Sequence, residues 1–541
     1  MLTAPQPIRD PVRRNGVALA VALILLVSLA LRLWQLGTPA EMMFDEIYYA
    51  KDAKAIVDNR AGTDGQYRWA AGDEVSWPHP EMGKMAIAVG ILLFGDRSFG
   101  WRIPAVVAGI ALLACVYPLG RRLGLSPPWA LLALVFAAAD PLGITQSRIA
   151  TLDIFIALWT VVCILFALRY VQDGWRSRWL YLAGLAGGLA VATKWSGGLA
   201  IVAALAIVVA AWVLQRRTAR RGETGDETTE ETPRADLPAS EPLVTPLAEQ
   251  VPATAPHGSA ARRVGLLLAA FVAVPALVYL SSYTQYFIDG HTWADFVELF
   301  RQALYFNFNL HAKHTYASQA YTWLFDYRPV WYYFEGTKTY HGVVAIGNPF
   351  LWWLAAFSLV AAVVLAILRK SYALLPTAAI IAVLYLPWFA TSRTSFIYYM
   401  TPVAPFMAIL AAGALCVFAG GVVPRRGWIV AGAVALATAV LWDTIAVWVI
   451  RTATTLGWVE KTGPVASGRE YVVRIVVVGV VLAAGVAALL LSRRIKSYRP
   501  WLAMVVSGLV IGIVVAFIPV VLAFGISPDH FSHIMWFRSW I

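Results

Sequence analysis

The chain has 541 residues, of which 60% are hydrophobic and only 14% are charged, whereas a soluble domain averages about 25% charged residues. This composition excludes an ordinary soluble protein and indicates a polytopic membrane protein. The net charge of +12 does not indicate nucleic-acid binding, because the basic residues form short clusters between apolar spans.

Thirteen apolar segments along the chain are candidates for membrane-spanning helices, each of which needs about 20 residues. The first is too long for a cleaved signal peptide and is followed by further spans, so we expect it to be retained. We therefore predict an all-α membrane protein with about 11–13 transmembrane helices. The predicted spans are 17–36, 103–120, 129–145, 153–171, 179–193, 197–214, 264–285, 350–368, 373–390, 402–419, 428–449, 471–491 and 501–524.

The basic clusters fall in alternate gaps between these spans, which predicts the orientation of the chain. Cytoplasmic loops carry an excess of Lys and Arg, so the N-terminus is predicted to be cytoplasmic and the C-terminus extracytoplasmic. The clusters are Arg13-Arg14, Arg121-Arg122, Arg176 with Arg178, Arg216 to Arg221, Arg369-Lys370, Arg425-Arg426 and Arg493 to Arg499.

The chain divides into an N-terminal transmembrane region, 1–214, a linker, 215–263, and a C-terminal transmembrane region, 264–541. The linker is rich in Thr, Glu, Pro and Arg, which predicts a disordered cytoplasmic segment without chemistry. The outside loop 286–349 is dense in Trp, Tyr and His. This loop fits the binding of an amphipathic substrate, and a plain aromatic belt at the membrane interface is the alternative.

The first outside loop, 37–102, contains a pair of acids, Asp45 and Glu46, shortly after the first span. A carboxylate held at the mouth of a transmembrane helix could act as a catalytic base, and a solvated loop start is the alternative. The apolar stretch Met85–Phe94 is too short to cross a bilayer, so we expect it to lie in the interface.

Four cations are predicted to meet these acids on the outer face. Cations hold phosphate, and a lipid phosphate lies at the headgroup level, so the arrangement suits a substrate linked to a lipid phosphate. The alternatives are an ion pair of Arg148 with Asp153, a plain interfacial Lys194, and an Arg393 that only extends toward the interface. The four are Arg102, Lys194, Arg148 and Arg393.

No pattern in the sequence indicates a metal or a nucleotide. There is no HExxH motif, and the acid pair alone is a weak ligand set for a divalent ion. A P-loop is also missing. Cys115, Cys163 and Cys416 all lie within apolar spans, so we expect packing residues without a disulfide framework. We predict that the protein needs no cofactor.

Six motifs in order resemble those of the protein O-mannosyltransferases, members of the GT-C membrane glycosyltransferases and of glycosyltransferase family 39. The resemblance runs from residue 44 to the end, apart from the linker. The motifs are Phe44-Asp45-Glu46-Ile47-Tyr48-Tyr49-Ala50-Lys51, His79-Pro80-Glu81-Met82-Gly83-Lys84, Arg102-Ile103-Pro104, Arg328-Pro329-Val330-Trp331-Tyr332-Tyr333, Gly347-Asn348-Pro349-Phe350-Leu351-Trp352-Trp353 and Met535-Trp536-Phe537-Arg538-Ser539-Trp540-Ile541.

The resemblance implies a GT-C fold and an inverting transfer of mannose from polyprenyl-phosphate-mannose to Ser or Thr of an exported polypeptide, without an obligatory metal. The family's acidic pair maps onto Asp45 and Glu46. One departure is Glu81, which replaces the second proline of the usual His-Pro-Pro-Leu-Gly-Lys pattern. We expect five further residues to contribute to the substrate site: His79, Glu81, Lys84, Asp153 and Tyr399.

The C-terminal motif is similar to that of bacterial members, and the Arg- and Ala-rich composition suggests an actinomycete. The expected location is the cytoplasmic membrane, with membrane lipid and the Sec translocon as candidate partners and no nucleic acid. The alternative function is a GT-C transferase that uses a glycan or lipid acceptor. A transporter is a remote alternative, because it would show internal repeats and charges at mid-span.

Overall fold

The computed structural model describes residues 11–59, 78–223, 244–252, 259–455, 497–535 and 538–540. By length and composition, seven helices in this part could cross a membrane, and five shorter helices are also apolar. Twelve of the thirteen predicted spans coincide with helices. The remaining one, 471–491, lies outside the described residues.

The helices follow one another along the whole described chain, and one pair of strands interrupts them. A π-helical turn, Ala269–Ala273, joins α11 to α12. The elements are α1 Pro11–Leu33, α2 Glu46–Asn59, α3 Met82–Phe94, α4 Ser98–Arg122, α5 Pro127–Ala138, α6 Pro141–Gln146, α7 Asp153–Gln172, α8 Ser177–Thr193, α9 Gly198–Glu223, α10 Leu247–Gln250, α11 Ala260–Leu268, α12 Val274–Ser282, α13 Thr284–Ile288, α14 Trp293–Asn309, α15 Ala320–Trp323, β1 Val330–Glu335, β2 His341–Ala345, α16 Pro349–Arg369, α17 Leu375–Tyr385, α18 Ala404–Phe418, α19 Gly427–Thr455, α20 Arg499–Val521 and α21 Pro528–Ile534.

Local sequence sets where these helices begin and end. The Asn348 side chain caps α16 by accepting a hydrogen bond from the Leu351 amide, and Pro349 occupies the first turn. Both features are favoured at a helix start. The helix ends at Lys370, which adopts a left-handed conformation with φ of 52°. Such a residue satisfies the last carbonyl groups and stops the helix.

Small residues let the helices pack closely, as is common between transmembrane helices. A Cβ atom added at Gly508 would lie 2.6 Å from the Ala431 carbonyl oxygen, and one at Gly512 would lie 2.5 Å from that of Ala435. Backbone therefore meets backbone where α20 crosses α19, and no larger residue fits at either glycine.

Helix α3 forms one side of the first outside loop and is three residues longer than the predicted stretch. Its outer face exposes large apolar side chains, with Leu93 70% and Leu92 52% exposed. This is the surface expected of a helix that lies in the membrane interface. The opposite face packs against α2 and α4.

The loop 286–349 contains a two-stranded antiparallel sheet that the all-α prediction does not include. Val330 pairs with Ala345, and Trp331 pairs with Val344. The Trp331 indole donates a hydrogen bond to the Trp540 carbonyl over 2.7 Å, and Arg328 donates one to the Ser539 carbonyl over 2.8 Å. The C-terminal segment therefore lies on the same end of the molecule as the aromatic loop.

Three parts of the predicted disordered linker, 215–263, have defined structure: α9 continues to Glu223, α11 begins at Ala260, and residues 244–252 pack against the opposite end of the helices. Val244 forms a β-bridge with Leu125 and is buried. The Gln172 amide donates to the Gln250 amide oxygen over 2.9 Å. Apolar and amide side chains such as Val244 and Gln250 make the contacts of this short stretch.

Candidate active site

The structure places Asp45 at the start of α2, where it faces a cluster of tyrosines. The preceding Phe44 has a positive φ of 45°, an uncommon conformation for a bulky residue that the surrounding structure must hold in place. The Asp45 side chain stays partly exposed and accepts a hydrogen bond from the Tyr398 hydroxyl.

The environment of Asp45 suits a general base. Burial raises its pKa to about 7, while Lys194 acts in the opposite direction and Asp153 adds to the rise. A base works best when its pKa lies near the working pH. A carboxylate in a partly open site, poised to gain or lose a proton near neutrality, can remove the proton of a hydroxyl nucleophile.

Glu46, the second acid of the pair, is fully buried and has no free role in chemistry. Its carboxylate accepts hydrogen bonds from Arg102 Nε and Nη2, each over 2.8 Å. It also accepts the amides of Met43 and Ala150, each over 2.9 Å. A carboxylate held by four hydrogen bonds is an anchor, so the prediction that Glu46 is catalytic is replaced by a structural role.

Arg102 cannot bind the donor phosphate in this arrangement, which corrects that prediction. Besides the two bonds to Glu46, its Nη atoms donate to three carbonyl groups of the preceding loop. All five N–H groups of the guanidinium are therefore in use. The carbonyl acceptors are those of Leu36 at 3.1 Å, Pro39 at 2.7 Å and Glu41 at 2.9 Å.

Arg148 also has a structural task, so its predicted phosphate contact is not supported. Its Nη1 donates to the carbonyls of Leu31, Arg32 and Trp34 at 3.0, 2.7 and 2.8 Å. Leu31 and Arg32 lie in the last turn of α1, whose carbonyl groups a helix leaves without intrahelical partners, and Trp34 follows the helix directly. A cation is favoured at such a C-terminus, and Arg148 thereby orients the loop that follows.

Lys194, Asp153 and Tyr399 meet beside Asp45, as the predicted site requires. The Lys194 Nζ lies 3.2 and 3.4 Å from the two Asp153 oxygens and 4.6 Å from the centre of the Tyr399 ring. Gly197 permits the tight turn between α8 and α9 that aims this lysine, since a Cβ there would lie 2.3 Å from the Ala190 carbonyl.

His79 lies next to this cluster, and its ring centre is 6.1 Å from that of Tyr49. Burial, followed by the nearby cations led by Lys194, holds the pKa of His79 well below its usual range. The imidazole is therefore neutral at pH 7. It can exchange hydrogen bonds with a sugar hydroxyl but cannot supply positive charge to a phosphate.

Glu81 and Lys84 lie behind His79 and do not face a substrate. The Lys84 Nζ is 2.8 Å from Glu81 Oε1 and 3.1 Å from Asp52 Oδ2, and all three side chains are fully buried. Burial raises the pKa of Glu81 to about 8. The substrate-binding prediction for Glu81 and Lys84 is thus replaced by a buried hydrogen-bonded cluster that supports the His79 loop.

Arg393 is linked to the loop that carries His79 by hydrogen bonds through Asn307. Its Nη1 donates to the Asn307 side-chain oxygen over 3.0 Å, and the Asn307 amide donates to the Pro78 carbonyl over 2.9 Å. The Arg393 Nε atom is buried without a hydrogen-bond partner among the described residues.

Two tyrosines of the site, Tyr332 and Tyr398, were not among the site residues predicted from the sequence. Tyr332 on β1 stacks on Phe44 with 4.7 Å between ring centres, and its hydroxyl accepts a hydrogen bond from the Gln146 amide over 2.8 Å. Tyr398 contacts Asp45 directly. The aromatic runs that hold both tyrosines were visible in the sequence, but nothing in them showed which ring would face the acid.

Comparison with known families identifies the chain. A model of the dolichyl-phosphate-mannose-protein mannosyltransferases matches residues 78–222. A second model, the C-terminal four-transmembrane region of protein O-mannosyltransferases, matches residues 292–467. Together they cover more than half of the chain. The chain belongs to the protein O-mannosyltransferase family. His79, Asp153 and Lys194 fall in the first matched region, and the tyrosines that enclose Asp45 fall in the second.

Similarities to individual proteins support this family assignment. A polyprenol-phosphate-mannose–protein mannosyltransferase of Mycobacterium tuberculosis is 26% identical over 466 residues, covering 74% of this chain and 82% of the relative. The Saccharomyces cerevisiae protein O-mannosyltransferase Pmt1–Pmt2 complex bound to the sugar donor superposes with a TM-score of 0.65 at 12% identity, covering 99% and 93% of the two chains. ArnT of Cupriavidus metallidurans in the apo state gives 0.50 at 17% identity, covering 94% and 78%. The two structures show a shared GT-C fold.

Proposed function

We propose that this protein O-mannosyltransferase family member transfers mannose from polyprenyl-phosphate-mannose to Ser or Thr hydroxyls of exported polypeptides. The observation that carries the proposal is the pairing of a partly accessible Asp45 with Lys194 in one tyrosine-lined site. The similarity to the mycobacterial polyprenol-phosphate-mannose–protein mannosyltransferase over 74% of the chain supports the choice of donor and acceptor.

In the proposed reaction, Asp45 removes the proton of the acceptor hydroxyl as its oxygen attacks the anomeric carbon. The bond between that carbon and the phosphate oxygen breaks on the opposite face, so the configuration inverts. The electron pair leaves with the polyprenyl phosphate, and the proton remains on Asp45 until solvent takes it. A positioned base of this kind contributes about 10²–10⁴-fold to the rate.

Lys194 is the cation that we assign to the departing phosphate. Its contacts to Asp153, at 3.2 and 3.4 Å, are long for a charge-assisted bond, which is usually about 2.7–2.9 Å. The ammonium can therefore shift toward a phosphate oxygen and still remain over the Tyr399 ring. Since Lys194 supplies the positive charge, we propose that the reaction needs no divalent metal, and activity should persist in EDTA.

We propose that the site faces the outside of the cytoplasmic membrane. Phe44, next to the base, contacts Tyr332 of the aromatic loop, and the C-terminal Trp540 contacts the same loop. The basic pair Arg121-Arg122 and residues 244–252 lie at the other end, which the positive-inside rule assigns to the cytoplasm. Polypeptides emerging from the Sec translocon would then reach the site directly.

The test uses the full-length protein in lipid nanodiscs with synthetic polyprenyl-phosphate-mannose. A Thr-containing peptide, a lipid acceptor and a glycan acceptor are compared, and the products are identified by mass spectrometry. Mannose on the peptide hydroxyl is the expected result. Transfer only to the lipid or the glycan would overturn the proposed acceptor in favour of the alternative GT-C activity.

A further inference from the structure

A cavity of about 790 Å³ opens on the outer end of the molecule. Two segments of the chain form most of its wall, and one residue of the C-terminal segment completes it. The lining residues are His311, Ala317, Ser318, Gln319, Tyr321, Thr322, Tyr327, Arg328, Ser392, Arg393, Thr394, Ser395 and Ser539.

The chemistry of this wall fits a polypeptide better than a polyprenyl chain. Among the described residues that line it, Ala317 is the single aliphatic side chain, and the others are hydroxyl, amide, imidazole, guanidinium and tyrosine groups. A lipid tail would need an apolar groove, whereas an extended peptide presents amide and carbonyl groups that such side chains can bond.

The charged side chains that line the cavity are all positive. Arg393 and Arg328 both contribute to it, and the described lining contains no Asp or Glu. Arg328 holds the Thr315 and Ser539 carbonyls, so it supplies mainly charge. Arg393 in addition carries the buried Nε donor that has no partner among the described residues.

Two chains of contacts link the cavity wall to the residues beside the base Asp45 and beside His79. Ser395 of the wall precedes Phe396, whose ring centre is 6.4 Å from that of Phe44, the residue before Asp45. The second path runs from Arg393 through Asn307 to the Pro78 carbonyl, next to His79. The wall of the cavity is thus joined by packing and hydrogen bonds to the residues beside Asp45 and His79.

We propose that this cavity docks the acceptor polypeptide and that Arg393 favours acceptors with an acidic side chain close to the Ser or Thr that receives the sugar. The inference rests on the proposed function and adds the acceptor class to it. A carboxylate in the cavity can pair with the guanidinium of Arg393, which lines the wall, because the planar N–H groups of arginine bind carboxylates with defined geometry.

The test compares pairs of Thr peptides that differ by Asp against Asn, placed one to four residues before or after the Thr. Acceptor kcat/KM is measured for each pair with the full-length protein in nanodiscs. We expect one placement at which the Asp peptide is about tenfold better than its Asn twin, the factor that 1.4 kcal/mol produces. Arg393→Gln should reduce that ratio to about one, and Arg393→Lys should retain part of it.

The matched control is Arg301→Gln, which removes the same charge from α14 at a side chain that is 79% exposed and outside the cavity. It should keep the Asp preference. Transfer without an Asp preference at any placement, or a preference that survives in Arg393→Gln, would overturn this inference alone. An equal rise in donor KM with both peptides in Arg393→Gln would also overturn it, because Arg393 would then bind the donor phosphate. Absence of transfer to every peptide would overturn the proposed function as well.

Discussion

Replacing Asp45 by Asn tests the assignment of the base directly. Asn keeps the size of the side chain and can still accept the hydrogen bond of Tyr398, but it cannot take a proton. Turnover should fall by about 10²–10⁴-fold, which corresponds to about 3–5 kcal/mol of activation free energy. Donor KM should change little, because the substitution removes a contact that matters only during proton transfer.

The pH profile provides a second measurement of the same assignment. Because the pKa of Asp45 is raised to about 7, the ionised, active form is lost as the pH falls below 7. The wild-type kcat/KM should then drop about tenfold for each further pH unit, and the Asn variant should lack this limb. Radiolabelled mannose transfer between pH 5 and 9 measures both profiles.

The control for this experiment is Asp58→Asn, on the same helix but with a side chain that is 55% exposed. It should retain wild-type turnover and the wild-type pH profile. If Asp45→Asn keeps more than about a third of wild-type turnover, or shows the same acid limb as wild type, Asp45 is not the base and the mechanism proposed above is wrong.

Four further predictions follow from the same geometry. Lys194→Ala should lower kcat more than it raises donor KM, measured by single-turnover transfer, because the lysine acts on the leaving phosphate; unchanged kcat would contradict this role. Arg102→Ala should reduce thermal stability in detergent by about 3–5 kcal/mol, the cost of leaving a buried partner unpaired, rather than change donor KM selectively. Glu81→Gln should flatten the pH dependence of thermal stability: the raised pKa, about 8 against an ordinary 4.5, makes wild-type stability fall as pH rises between these values. Replacing residues 244–252 with a Gly/Ser linker should lower the melting temperature, whereas replacing 224–243 should not.

The position of the acid and of Lys194 could be predicted because both depend on short-range patterns. Asp45 follows an apolar span, and Lys194 lies in the gap between two spans. The roles of Glu46 and Arg102 could not be predicted in this way. They pair across 56 positions of the chain, so only the folded structure shows that the arginine is already occupied.

Two local elements also escaped prediction for physical reasons. The strand Val330–Glu335 is a short aromatic run that reads equally well as an interfacial loop, because its pairing partner is needed to make it a strand. The stretch 244–252 sits within a charged and proline-rich linker, so the average composition concealed its buried Val244 and Leu247.

The neighbouring acids Asp45 and Glu46 have different roles, one as base and one as anchor, because they lie at the start of one helix. Successive residues of a helix point about 100° apart, so one carboxylate can face the core while the next faces the site. Glu46, held by Arg102 and the Ala150 amide, fixes the rotation of the first turn of α2. That rotation directs Asp45 toward Tyr398 and Lys194. Without Asp45 the site would have no base, and without Glu46 the first turn of α2 would lose the contacts that orient Asp45. An adjacent pair of acids therefore serves a reaction in which only one of them takes a proton.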